Sequence, residues 1–330
     1  MTALYEADVD VENQLAEDRM AAVRTAMRAV LTKVTGDRFA SQRTSLLPVI
    51  ENAEDYLQQY RYTRDTGNNT GNGETPVTGG LTLRVKFDEA TLNEALRNLG
   101  VPVWGKERPM TLVWVAVQDE SGRRLISMEQ DPEYIRILDQ RARRRGIALI
   151  FPLMDLQDTS GLGVSDIWGG FRQPVMEASR RYQADAVLVG KVISSPSDIW
   201  EAQWTSYIDG TASSWTTEGS LRDMVMDEGV DGQADLLASR FLGSDTSDRT
   251  ATISVEVNDI TAAGQYARVL DYLRSLSSVT DVQVEQAEAG RVRFAVTAHG
   301  GQFAIRQAIA LGRLMEPVQD VSGNSYRLLP

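Results

Sequence analysis

Asp119 and Asp155 are the residues of this chain best placed to do chemistry. Each stands at the C-terminal end of an apolar run read as a buried strand, LVWVAV (112–117) and 147–153. Open parallel sheets bind their ligands at that edge. If the two strands are neighbours, the carboxylates share one rim, with Asp158, Asp166 and Trp168 on the loop just beyond. Carboxylates so paired suit a hard divalent cation, or the acid and base of a glycoside-cleaving site with Trp168 as the sugar platform. The competing reading is that strand-end aspartates simply cap turns and helices.

Three further features have chemistry-bearing side chains. Trp200, Trp204 and Trp215 fall on one hairpin. They read either as cross-strand packing or, with one face open, as a partner or glycan surface. Arg141, Arg143, Arg144 and Arg145 end a helix, where basic side chains complement the helix dipole and an exposed run could hold an anion. His299 precedes Gly300 and Gly301 at a strand-to-helix junction. A lone histidine is a poor metal site, so it reads as a loop residue.

What is missing narrows the field. There is no cysteine and, besides His299, no histidine in 330 residues. Most nucleophilic, proton-shuttling and transition-metal sites use one or both types. The G-x-S-x-G, S-x-x-K and Walker-type strings are missing too. No cofactor and no metal centre is expected, and an enzymatic role is disfavoured without being excluded. A net charge of −12 repels nucleic acid and anionic lipid. No apolar run approaches the ~20 residues of a membrane span. The opening MTALYEADVDVENQ lacks the basic and apolar regions of a signal peptide.

The elements that must position these residues follow from periodicity. A strand is expected over 4–9, then a helix over 16–34 with Met20, Val23, Met27, Val30, Leu31 and Val34 as its apolar stripe. Pro48 opens a second helix through Ile50, Ala53, Leu57 and Tyr60. The Gly/Asn/Thr tract 63–80 reads as a disordered loop. A strand over 81–87 alternates cleanly, and Asp88 caps the next helix. The N-terminal domain, 1–104, is thus α+β in the order β-α-α-β-α.

The second domain, 105–245, reads as a small parallel-sheet α/β domain. Its strands are expected over 112–117, 147–153 and 186–193, with helices between them. A hairpin turning at Asp209-Gly210 is appended, and a helix over 221–241 follows. After a polar linker, residues 251–330 read β-α-β-β-α-β, the ferredoxin-like split βαβ order.

Several strings carry a resemblance: LTKVTGDR (31–38), AEDYLQQYRY (53–62), LRVKFDEATLNEALRNLGVPVWGKERP (83–109), FPLMDLQD (151–158), SDIWGGF (165–171) and YQADAVLVGKV (182–192). Together with LVWVAV, they resemble the DUF2066 family of uncharacterised, exported proteins of Gram-negative bacteria, over roughly residues 3–245. The resemblance implies a periplasmic location and no established activity. The middle topology also resembles, at the level of fold, small domains of periplasmic accessory proteins such as the N-terminal domain of TolB or activators of peptidoglycan synthases.

The reading is therefore a non-catalytic envelope protein that binds another envelope protein. Asp158, Asp166, Trp168, Trp200, Trp204 and Trp215 are the candidate binding surface, and Asp119 and Asp155 the catalytic candidates. The alternative is a carboxylate-based enzyme or binding protein acting on envelope glycan. A third reading, a small-ligand binding protein, requires a deep apolar pocket between domains.

Overall fold

The computed structural model describes residues 3–64, 80–195, 199–242, 250–276, 278–299, 301–312, 314–318 and 324–329. The chain is mixed α/β with three sheets. It divides into two compact units, Glu107–Arg240 and the combination of Ala3–Lys106 with Phe241–Pro330. The tract expected to be disordered, 63–80, and the linker after the second domain lie largely outside the described residues, as does the side chain of His299.

In the N-terminal segment, β1 (Glu6–Val11) leads into α1 (Ala16–Thr35), whose predicted stripe is the one buried, with Val23, Met27, Val30, Leu31 and Val34 inaccessible to solvent. The short helix α2 (Leu47–Glu51) carries Pro48 in its first turn, close to the expected start, but stops early. Residues predicted to continue it form β2 (Leu57–Arg64), which pairs with β3 (Leu81–Phe87). β2 is mostly exposed, so its strand alternation is weak, and Leu57 and Tyr60 fall by chance on the helical spacing. The order is β-α-α-β-β-α, with β3 central between β1 and β2. Asp88 accepts from Thr91 N and opens α3 (Glu89–Asn98) as predicted.

In the second unit, β4 (Met110–Asp119) turns back into β5 (Gly122–Leu125). Then come α4 (Pro132–Arg145), β6 (Ala148–Ile150), the short helices α5 (Leu156–Gly161), α6 (Val164–Gly169) and α7 (Arg172–Ser179), and β7 (Ala186–Ser194). The hairpin β8 (Trp200–Ile208) and β9 (Thr211–Gly219) leads to α8 (Arg222–Phe241). The sheet order is β5-β4-β7-β8-β9. β6 and β7 run parallel to β4, and β8 and β9 return antiparallel. The parallel core with an appended hairpin is thus as read from the sequence, but β5 is an addition. It shares with β6 one edge of β4: β6 covers Met110–Leu112, and β5 covers Ala116–Asp119.

The two faces of this sheet are packed differently. Leu112, Trp114, Ala116, Val187, Val189 and Tyr207 form a core with Leu162, from the link between α5 and α6, and with Ile167 and Val175 from α6 and α7. On the other face α8 lies over the hairpin. The indole of Trp204 is wedged between β7 and α8: a Cβ at Gly190 would lie 2.5 Å from the ring, and one at Gly229 2.2 Å. Both positions must be glycine for the layers to close. Asp209 and Gly210, at φ 47° and 77°, form the two-residue hairpin turn.

The C-terminal segment contains β10 (Thr250–Ile260), α9 (Ala263–Ser275), β11 (Val279–Glu288), β12 (Gly290–His299), α10 (Gly301–Gly312), β13 (Met315–Pro317) and β14 (Ser325–Leu328). The sheet order β11-β12-β10-β14, with β10 and β14 parallel, is the split βαβ arrangement, and β13 extends its edge. Its core gathers Val255, Val257, Phe294, Val296, Leu273 and Ile309.

Candidate functional site

Asp119 and Asp155 each serve an arginine, in separate networks that have no member in common. Asp119 ends β4 and accepts two bonds from Arg124, at 2.8 and 3.1 Å, and one from Tyr134 Oη at 3.1 Å. Arg124 reaches it because the tight turn into β5 brings the guanidinium back alongside β4. The same guanidinium bonds the buried Asp131, which heads α4. Arg124 holds the Asp119 carboxyl below the usual carboxylate range, although burial opposes this. Burial and the Asp119 carboxylate push the Tyr134 phenol up to about 12. The arrangement ties the β4–β5 turn to the start of α4.

Asp155 belongs to the other network. It caps α5 by accepting from Asp158 N at 3.0 Å and takes a two-pronged bond from Arg181 at 2.8 and 2.9 Å. Arg181 and the backbone donors hold its carboxyl at about 2. Arg181 also donates to Asp158, whose carboxylate is buried and accepts from Met154 N and from Tyr182 Oη. Tyr182 Oη in turn accepts from Leu153 N at 2.9 Å. The ring of Tyr182 stands edge-on against the buried Trp114. Asp155 and Asp158 are therefore brought together as sequence spacing suggested, but as struts. Asp158, at 1% exposure, is not a surface residue.

These struts hold an unusual stretch of backbone. The 147–153 run was expected to be a buried strand. Only Ala148–Ile150 is strand, and the chain then leaves the sheet. Met154 adopts φ 55°, a left-handed conformation that costs a side-chain-bearing residue about 1–3 kcal/mol. On either side of it Leu153 and Leu156 project into solvent, 72% and 84% exposed. Scattered exposed leucines are ordinary. Here the pair flanks a strained residue, and the N–H groups of Leu153 and Met154 are tied to the Tyr182 phenol and the buried Asp158 carboxylate, which makes it a constructed display. It stands at the rim where the carboxylates were expected to act.

The remaining candidates separate. Asp166 accepts from Gly163 N at 2.8 Å and closes the first turn of α6. Trp168 is half-buried, with the Arg123 guanidinium 4.0 Å from its ring centre. It lines an open cleft of about 550 Å³ with Lys191, Ile193, Glu201, Gln203, Thr216 and Glu218. Trp204 is fully buried and cannot belong to a surface, while Trp200 and Trp215 are half-buried on the same side of the hairpin. This cleft is open, and its lining mixes charged, polar and apolar side chains.

The arginine run also divides. Arg145 is 2% exposed and pairs with Asp231 at 2.9 Å and Asp235 at 2.6 Å. Arg141 also bonds Asp231, and Arg143 pairs with Asp139 along its own helix. Burial works against an ionised Asp231, but the two arginines outweigh it and hold its carboxyl below the usual range. Arg141 and Arg145 thus fasten α4 to α8, whereas Arg143 and Arg144 stay exposed. Among the described residues no group of three or more His, Asp or Glu side chains could hold a metal ion. No described helix is long and apolar enough to cross a membrane.

Comparisons with known proteins reach part of the chain. Residues 1–105 match the family DUF8605, a domain of unknown function. No curated protein matches. Among solved structures, the LpoB C-terminal domain from Salmonella enterica is 18% identical, with a TM-score of 0.23, over 34% of this chain and 80% of that one. A crystal structure of an uncharacterized protein is 11% identical, with a TM-score of 0.18, over 40% of this chain and 90% of that one. Likenesses this slight say what the chain is distantly similar to and carry no functional argument.

Proposed function

We propose that this chain is a non-catalytic protein of the cell envelope that binds another protein through the Leu153–Leu156 rim of its second unit. The observation that carries the reading is the display of those two leucines beside a strained residue, with the N–H groups of Leu153 and Met154 tied to Tyr182 and Asp158. Burying a leucine side chain in a partner is worth about 1.5–3 kcal/mol. A rigid display loses little of that gain to loop ordering. The carboxylates that would have served catalysis are engaged with Arg124 and Arg181, which supports a binding role over a hydrolytic one. The envelope location, and within it the periplasm, rests on the resemblance to DUF2066.

The test is affinity capture of partners from envelope extract by the intact chain and by the Leu153→Ser/Leu156→Ser double variant. A partner retained by the unaltered protein and lost by the variant, with melting behaviour unchanged, supports the proposal. Equal capture by both removes it.

A further inference from the structure

The free edge of β9 is a second surface, independent of the leucine rim. In a two-residue hairpin the flanking pair, Ile208 and Thr211, is hydrogen-bonded, and every second pair outward from it likewise. Thr211, Ser213, Trp215 and Thr217 therefore spend their backbone groups on β8. The backbone N–H and C=O groups of Ala212, Ser214, Thr216 and Glu218 point to the open side, where no described strand pairs with β9. Exposed edges are normally blunted by lysine, proline or a bulge. β9 has none of these: it reads TASSWTTEG, and its register against β8 is unbroken.

The side chains of the edge-facing residues stand on the sheet face that lines the 550 Å³ cleft. There Glu218 lies directly opposite Glu201 across the strand pair. Carboxylates so opposed repel each other. The one ammonium lining the cleft, Lys191, lies on β7, two strands in from the edge, about 10 Å away at ordinary strand spacing. Its Nζ donates to the carbonyl of Trp168 at 3.3 Å. A strand added beyond β9 thus meets Glu218 first and Lys191 last. A second copy of the chain, carrying −12 overall, is disfavoured by charge, and a cationic segment is favoured.

We propose that β9 receives an extended basic peptide as an added strand, with a Lys or Arg side chain seated against Glu218 and Glu201. Backbone pairing supplies the adhesion and the carboxylate pair the selectivity.

Fluorescence anisotropy with the intact chain tests this. The probe is a labelled peptide matching β9 in length and alternating Lys with Thr and Val. Its controls are the same peptide with Glu for every Lys, and the basic peptide N-methylated at alternate residues. The basic peptide is expected to bind, and both controls to fail. Glu201→Gln/Glu218→Gln should weaken binding about tenfold. Ser214→Pro, which removes an outward N–H at a position where an edge strand tolerates proline, should weaken it also. Leu153→Ser/Leu156→Ser should leave it unchanged, so this surface and the leucine rim succeed or fail separately. Equal binding of the acidic or N-methylated peptide overturns the proposal, and so does no binding of the basic peptide at millimolar concentration. A concentration-dependent dimer in sedimentation, abolished by Ser214→Pro, would assign the edge to a second copy instead. The N-methylated control reads the unaltered protein, so the test stands even if a variant misfolds.

Discussion

Tyr182 donates its phenolic hydrogen to the buried carboxylate of Asp158 while its oxygen accepts the N–H of Leu153. One side chain thereby couples the strut to the displayed leucine. Burial, reinforced by Asp158, raises the phenol to about 12, so it remains a donor throughout the neutral range.

Tyr182→Phe keeps the packing against Trp114 and deletes both bonds. It should cost about 1–3 kcal/mol, because Asp158 is left short of a donor in a buried place. Hydrogen exchange should show faster exchange at Leu153 and Met154, with β4 and β7 little changed. Unaltered protection at those two amides would mean that the phenol does not hold the rim.

Acid should release the same loop. The Asp155 carboxyl is held at about 2, below its ordinary 3.8, by Arg181 and the α5 backbone. A depressed carboxyl stabilises the fold fully above its unfolded value and loses that contribution as pH falls through the folded one. The loss therefore runs from about pH 4 down to about pH 2. Asp155→Asn should be less stable than the unaltered chain at neutral pH and should lack this part of the acid limb. Denaturation curves at stepped pH check both, and superimposable acid limbs would contradict the assignment.

Trp204 and Gly229 give a prediction whose sign reverses. A Cβ at Gly229 would lie 2.2 Å from the indole, so Gly229→Ala should destabilise the second unit by about 1–3 kcal/mol or more. In a Trp204→Leu background the obstruction is gone. There the same change should become neutral or stabilising by up to about 1 kcal/mol, since alanine favours helix over glycine. Urea denaturation of the four proteins closes the cycle. An equal penalty in both backgrounds would show that the glycine serves some other purpose.

What could be read from the residues, and what could not, divides along physical lines. β4, β7 and the β8–β9 hairpin were legible because buried strands are continuous apolar runs and because Asp209-Gly210 has the chemistry of a tight turn. β5 is hard to read because GRRL is short and charged; the turn before it is Glu120-Ser121, and Gly122 already opens the strand. Arg145 was mistaken for an exposed cation because its partner Asp231 lies 86 residues away, beyond any local pattern. Leu153 looked like strand core for a similar reason: an apolar run does not say where the chain leaves its sheet. Asp155 and Asp158 stand out in the sequence, but their place as struts depends on Arg181 and Tyr182, which nothing local links to them. Glycines at 190 and 229, one in a strand and one in a helix, were the available signal that a large ring lay between those layers.

The most direct test of the binding account is site-specific photo-crosslinking. A photoreactive side chain is placed at position 156 on the rim or, as control, at Asp139 on α4, and each protein is expressed in its native cell and irradiated. The account predicts one reproducible protein adduct from position 156, absent from the control and lost when Leu153 is also changed to Ser. Matching adduct patterns from the two positions, or none from position 156, would contradict it.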